Sequence, residues 1–191
     1  MNVDFIADLR CLWSYVAWRQ LRTALKECAV EADISFFPIF RENGLTSAAK
    51  TKALRRRASP LLEESGIFVD FDALPELSGD FSLCVRLIRA AFREKKYKVL
   101  DEIFGAYFAF GRDISRPETL EPIAVHHGLD PNGLNDDFDF SVLPVYGPEG
   151  MHAVSCVIFN GVTALFGTQG IPCLKNMIRL NRRIEDENIL K

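Results

Sequence analysis

Apolar and polar residues alternate over residues 2–7, and apolar residues then recur at a spacing typical of a helix. The alternation predicts a short strand, and the helical spacing runs to about residue 29. Residues 34–40 form a second apolar run that is rich in β-prone side chains. A strand, a helix and a strand of this length favour a parallel pair joined by a right-handed crossover.

The middle of the chain, residues 46–127, shows almost no strand signal. Its apolar positions predict four helices, the first with a break near Pro60 and the last ending before Gly128: residues 47–65, 80–96, 97–110 and 115–127. Residues 129–152 are rich in Asp, Asn, Gly and Pro and predict a loop. We therefore expect a helical subdomain inserted into a smaller α/β domain.

Strand patterning returns near the C-terminus. Two β-prone runs flank Asn160-Gly161, a dipeptide typical of a tight hairpin turn. A final helix is predicted from about residue 172 to residue 188. The predicted order is β-α-β, a helical insertion, then β-β-α. Residues 1–45 and 152–191 would form one domain, and residues 46–151 would form the insertion.

Composition and charge narrow the classes of function. The formal net charge of −3 over 191 residues argues against a nucleic-acid surface, which needs a basic stripe. No run approaches about 18 apolar residues, so we expect no membrane span. The first residues lack the basic and long apolar regions of a signal peptide, and a cytoplasmic location is the expectation.

The chain has five cysteines, and no pair of them has the spacing of zinc ligands. In a reducing compartment, four of them are expected to be buried thiols that behave as small apolar side chains: Cys28, Cys84, Cys156 and Cys173.

Cys11 is placed differently, at the predicted junction of the first strand and the first helix. The N-terminal end of a helix carries partial positive charge and unpaired backbone N–H groups, which stabilise a thiolate. We therefore predict a lowered pKa for Cys11, to which the neighbouring Arg10 could contribute.

Several segments, in this order along the chain, resemble one known family: Phe5-Ile6-Ala7-Asp8, Cys11-Leu12-Trp13-Ser14, Phe37-Pro38-Ile39-Phe40, Gly111-Arg112-Asp113-Ile114-Ser115, Val154 to Gly161, and Gly167-Thr168-Gln169. The family is the DsbA-like thioredoxin superfamily. Within it, the chain is most similar to the branch of FrnE-type oxidoreductases, 2-hydroxychromene-2-carboxylate isomerases and kappa-class glutathione transferases. The resemblance implies a thioredoxin-like α/β fold with a large all-helical insertion.

Two departures from this family bear on function. Ser14 stands where the family's resolving cysteine would be, so the site reads Cys-x-x-Ser and an ordinary dithiol cycle is not expected. Ser155 aligns with the family's cis-proline. A cis bond before a residue other than proline costs about 2.5–4 kcal/mol, so we predict a trans bond between Val154 and Ser155.

Three functions are consistent with this resemblance. The first is a glutathione-dependent isomerase or transferase acting on a small molecule, with Cys11 and Ser14 assisting the glutathione thiolate at the helix N-terminus. The second is monothiol exchange, in which Cys11 attacks a glutathione mixed disulfide and free glutathione resolves it. The third is a degenerate fold kept for binding or for a new reaction.

The resemblance also supplies expectations about binding and assembly. The residues expected to contact substrate are Trp13, Tyr15, Phe40, Val154 and Ser155. Many relatives pair, so a homodimer is expected by resemblance.

We expect no metal at His126-His127, because adjacent helical side chains point about 100° apart and rarely share an ion. Arg55-Arg56-Arg57 is interpreted as a solvated helix face.

Overall fold

The computed structural model describes residues 1–39, 48–77, 79–132 and 155–189. Its sheet has four strands in the order β2-β1-β3-β4: β1 (Asn2–Ala7), β2 (Asp33–Pro38), β3 (Ser155–Phe159) and β4 (Thr163–Phe166). β1 pairs parallel with β2 and antiparallel with β3, and β3 pairs antiparallel with β4. The parallel β-α-β unit predicted from the sequence is confirmed.

Six helices complete the described chain: α1 (Leu12–Glu27), α2 (Ala48–Ser65), α3 (Ser82–Arg93), α4 (Lys98–Phe108), α5 (Pro117–His126) and α6 (Ile171–Ile189). α2 to α5 lie between β2 and β3 in the chain, as the thioredoxin-like arrangement with a helical insertion requires. None of the described helices is both long enough and apolar enough to cross a membrane. The division into two domains stays a prediction.

β1 is the central element that positions the site. Val3, Phe5 and Ala7 are fully buried, because the strand has a partner on each side and helices cover the sheet. α1 packs its apolar face into this core through Trp18, whose ring centroid lies 5.2 Å from that of Phe5. Trp18 is fully buried and donates its indole N–H to Asp101 Oδ1 at 2.9 Å. These contacts hold α1 against β1 and α4.

The turn between β3 and β4 is the one that the sequence predicts. Asn160 has a φ of 51° and Gly161 a φ of 70°, and two consecutive left-handed residues are what a type I′ hairpin turn needs. The predicted break near Pro60 is wrong, because α2 continues through it to Ser65. Next to this proline, the hydroxyl of Ser59 donates to the carbonyl of Arg55 at 2.8 Å. Arg55, Arg56 and Arg57 are exposed, as expected.

Candidate active site

Cys11 is the N-cap residue of α1, and it links the end of β1 to the first turn of the helix. Its backbone is extended, with φ −101° and ψ 121°. Its N–H donates to the carbonyl of Asp8 at 3.0 Å, and its own carbonyl accepts the N–H of Ser14 at 3.0 Å. The thiol is half-buried. The predicted position of Cys11 at the helix N-terminus is therefore confirmed.

The electrostatics of Cys11 differ from the prediction. Burial raises the pKa of the Cys11 thiol, and the negative charge of Asp8 raises this pKa further. The backbone N–H groups of Ser14 and Trp13 and the Ser14 hydroxyl act in the opposite direction. The expectation of a lowered pKa is wrong in sign, because desolvation of the thiolate outweighs the hydrogen bonds that stabilise it.

Asp8 and Arg10 form an ion pair beside Cys11. Arg10 donates from Nε to Asp8 Oδ1 at 3.1 Å and from Nη2 to Asp8 Oδ2 at 3.2 Å, and the Arg10 backbone N–H also reaches Oδ1 at 2.9 Å. The guanidinium lies 5.7 Å from the ring centroid of Phe81. The charge of Arg10 therefore meets the carboxylate of Asp8, and a contribution of Arg10 to the pKa of Cys11 stays a prediction.

Asp8 is a residue of the site that sequence reasoning missed. Only 3% of its surface is exposed, which is rare for a carboxylate. An aspartate at a strand end is ordinary in a sequence, and nothing in the pattern of apolar positions indicates that it is buried. The one sequence signal that could have indicated it is Arg10, two residues later in the same turn.

Ser14 lies one turn into α1 and is fully buried. Its Oγ accepts the backbone N–H of Asp8 at 3.3 Å, and its hydroxyl lowers the pKa of Cys11 by a hydrogen bond. The hydroxyl therefore contacts the protein rather than solvent in this structure. In this geometry Ser14 acts on the thiol of Cys11 and on the turn that carries it.

Trp13 and Tyr15 flank Ser14 and have different surroundings. Trp13 is half-buried against the edge of the core, so it remains a candidate contact for a substrate. Tyr15 is only 6% exposed and its ring lies nearly parallel to that of Phe108, with centroids 5.4 Å apart. Position 15 therefore lies on the face of α1 that packs on α4, and the expected contact of Tyr15 with a substrate stays a prediction.

Ser155 begins β3 and lies opposite Ala7 in the antiparallel pair. It is 1% exposed, and its carbonyl accepts the N–H of Gly167 at 2.8 Å. Its buried Oγ has no hydrogen-bond partner among the described residues. Phe40 and Val154, also predicted to contact substrate, lie outside the described residues, as does the Val154–Ser155 bond.

The other four cysteines form no disulfide in the described structure. Cys84 and Cys156 are buried, as expected, and burial raises the pKa of Cys156 to about 11. Cys28 is half-buried and Cys173 is exposed, so the expectation of burial is wrong for Cys173. Its position in the first turn of α6 leaves it in contact with Gln169 rather than with the core.

A cavity of about 710 Å³ lies elsewhere on the molecule. Its lining includes Arg19, Arg22 and Asp101. Arg19 is eight residues beyond Cys11, which corresponds to about 12 Å along a helix. This cavity is therefore separate from the Cys11 site.

Comparison with known families identifies the class of protein. The sequence profile of the DSBA-like thioredoxin domain matches residues 2–141, which is most of the chain. The chain belongs to the DSBA-like thioredoxin domain family. This match covers β1, α1 and the helical insertion, including the Cys11 site.

Solved structures share the same fold. A probable DsbA oxidoreductase from Streptomyces coelicolor is 15% identical, with a TM-score of 0.66, covering 95% of this chain and 89% of that one. A protein from Nitrosomonas europaea, provisionally described as a protein disulfide isomerase, is 17% identical, with a TM-score of 0.69 and coverage of 94% and 96%. A 2-hydroxychromene-2-carboxylate isomerase is 16% identical, with a TM-score of 0.65 and coverage of 97% and 98%. No curated protein matches the chain.

Proposed function

We propose that the protein is a glutathione-dependent isomerase or transferase that acts on a small molecule, with Cys11 as the residue that contacts the sulfur of glutathione. The observation that carries the proposal is the combination of a helix N-cap position with a raised pKa. A thiol that stays protonated is a poor nucleophile. It is, however, a hydrogen-bond donor at the place where a helix favours an anion.

In the proposed arrangement, Ser14, Cys11 and the sulfur of glutathione form a chain of hydrogen bonds. The hydroxyl of Ser14 hydrogen-bonds to Cys11, and the thiol of Cys11 would donate to the thiolate of bound glutathione. The negative charge of Asp8 opposes ionisation of Cys11, which keeps the Cys11 thiol protonated and able to donate. Trp13 would contact the second substrate. The family and the isomerase neighbour are consistent with this class of reaction.

A monothiol oxidoreductase is the second candidate. Two backbone N–H groups, of Trp13 and Ser14, stabilise the thiolate form of Cys11. The family includes oxidoreductases in which a cysteine at this position attacks a disulfide, and a single cysteine suffices if free glutathione resolves the product. Here Cys11 would have to lose its proton first, which its burial opposes.

The test compares Cys11→Ser with Cys11→Ala, because serine keeps a hydrogen-bond donor and alanine does not. Glutathione binding is measured by calorimetry, and the pKa of the bound glutathione thiol is measured from its thiolate absorbance across pH. We expect a bound pKa below that of free glutathione, retained in Cys11→Ser and raised in Cys11→Ala. The proposal is overturned if the parent chain does not bind glutathione. It is also overturned if the pKa of the bound glutathione thiol is the same in the parent chain and in Cys11→Ala.

Reduction of a glutathionylated peptide separates the two candidates. A monothiol oxidoreductase loses this activity equally in Cys11→Ser and Cys11→Ala, since neither side chain attacks a disulfide. A protein that neither binds glutathione nor reduces the peptide has the third function, a fold kept for other binding or another reaction. A cytoplasmic location and a homodimer remain part of the proposal, and size-exclusion chromatography with light scattering tests the homodimer.

A further inference from the structure

Three potential metal ligands converge where α4 and α5 meet. They are Glu102 in the middle of α4, His126 at the last position of α5, and His127 immediately after it. Glu102 Oε1 lies 3.1 Å from His126 Nδ1 and 3.0 Å from His127 Nε2. One ligand atom from each of the three residues lies within 4.8 Å of the other two.

The end of α5 explains how two adjacent histidines reach one carboxylate. His127 is the C-cap residue, and Gly128 follows it with a left-handed φ of 66°, so the helix ends at this point. The N–H of Leu129 closes the turn by donating to the carbonyl of Ala124 at 2.9 Å. The two imidazole rings lie 4.9 Å apart between centroids, and both face Glu102. The expectation that these neighbouring side chains diverge is therefore wrong.

The contact between His127 and Glu102 has the length of a hydrogen bond without its alignment. His127 Nε2 is buried and has no hydrogen-bond partner in the described part of the chain, although a carboxylate oxygen lies 3.0 Å away. Such a short but unaligned contact is expected when the nitrogen of His127 and the oxygen of Glu102 both direct lone pairs towards one metal ion. Around a tetrahedral ion with metal bonds of about 2.0–2.2 Å, neighbouring ligand atoms lie about 3.3–3.6 Å apart. The two nitrogen-to-oxygen distances from Glu102 Oε1 are slightly shorter than this range, so a bound ion would move the three side chains apart by a few tenths of an ångström.

The charge near these residues is compatible with a cation. Lys96 comes close to Gly128, with its ammonium 3.8 Å from where a Cβ on this glycine would lie. Glu94 pairs with this ammonium at 2.6 Å. Glu94 thus offsets the charge of this ammonium, and the Glu102 carboxylate lies against the two histidines.

We infer that Glu102, His126 and His127 bind a divalent transition-metal ion of the Zn²⁺ class. Two imidazole nitrogens and one carboxylate oxygen are donors that zinc prefers, and three protein ligands leave a fourth position for water or another ligand. The side chain of His126 is 71% exposed, so an ion can enter from solvent. This site is distinct from that of Cys11, and binding there would fasten the end of α5 to α4.

The test is a titration of the chelator-treated full-length chain with Zn²⁺, in competition with a chromophoric zinc indicator. We expect saturable binding that weakens at least about tenfold in His126→Ala and in Glu102→Gln. We also expect Zn²⁺ to raise the melting temperature of the parent chain, since a ligand bound only to the folded state stabilises it. Both substitutions are at side chains with solvent access, so the variants should fold.

Two control variants separate this site from other zinc ligands. His152→Ala removes the third of the chain's three histidines, and Cys173→Ser removes an exposed thiol. Both are expected to keep the parent affinity. The inference is overturned if the parent chain shows no saturable binding, which would leave three side chains in contact without a metal function. It is equally overturned if His126→Ala and Glu102→Gln keep the parent affinity, or if Cys173→Ser is the variant that loses it.

Discussion

Cys11 and Cys156 lie on or next to two paired strands, but their thiols have different surroundings. Cys11 follows β1, and Cys156 lies on β3, where it pairs with Ile6 of β1. Burial raises the pKa of both thiols. For Cys156, burial is the one cause found among the described residues, and the residue is 2% exposed. Cys11 is half-buried, and backbone N–H groups and a hydroxyl oppose the effect of burial on its pKa. Solvent can therefore reach the thiol of Cys11, and neighbouring groups change its pKa, whereas Cys156 packs in the core.

The largest difference should appear in native-state reactivity. Cys84 and Cys156 should react with iodoacetamide at least about a thousandfold more slowly than Cys173, because the buried thiols must wait for an opening that costs on the order of 5 kcal/mol. Cys11 should react at a rate between these limits. Labelling followed over time by peptide mass spectrometry measures each rate. Equal rates for Cys11 and Cys156 would remove the distinction between the two sites.

The two aromatic residues beside Ser14 should differ strongly in their contribution to stability. Tyr15→Ala should lower the free energy of unfolding by about 3–5 kcal/mol, because it leaves a cavity against Phe104 and Phe108. Trp13→Ala should cost about 1 kcal/mol, since Trp13 is half-buried. Urea denaturation of both variants gives the comparison. A larger cost for Trp13 would place it, not Tyr15, in the core.

Removal of the Ser14 hydroxyl should affect the turn and the thiol together. Ser14→Ala leaves the buried N–H of Asp8 without its acceptor, which should cost about 1–3 kcal/mol of stability. It also removes a group that lowers the pKa of Cys11, so this pKa should rise further. Ser155→Ala is the matched control, because the Ser155 hydroxyl has no partner among the described residues. A larger loss of stability in the control would contradict the role given to Ser14.

The smallest expected effect is that of the charge on Asp8. Asp8→Asn keeps the size of the side chain and removes the negative charge that raises the pKa of Cys11, so this pKa should fall. The pH at which Cys11 alkylation reaches half its maximal rate should move to a lower value. An unchanged or higher midpoint would show that the charge of Asp8 does not reach the thiol.

The sequence was sufficient for the architecture because strand and helix periodicities are local. The β-α-β start, the Asn160-Gly161 turn and the position of Cys11 all follow from short-range patterns and from resemblance. The surroundings of Cys11 were not predictable in the same way. Tyr15 is four residues from Cys11, yet its ring packs on Phe104 and Phe108 of α4, and Asp8 is buried although it stands at a strand end.

The sign of the Cys11 pKa shift shows the same limit. The helix N-terminus is visible in the sequence, and by itself it predicts a lowered pKa. The desolvation that reverses this prediction comes from residues packed around the thiol in three dimensions. The convergence of Glu102 with His126 and His127 likewise depends on how α4 and α5 pack, and adjacent histidines alone gave no indication of it.

The pH dependence of Cys11 alkylation tests the central claim most directly. The claim is that Cys11 remains a protonated thiol at neutral pH, although it caps a helix. Because burial disfavours the thiolate, deprotonation and therefore reactivity should rise only at higher pH, with a midpoint above the ordinary value of about 8.5. A midpoint near or below neutral pH would contradict the claim and would favour a nucleophilic Cys11.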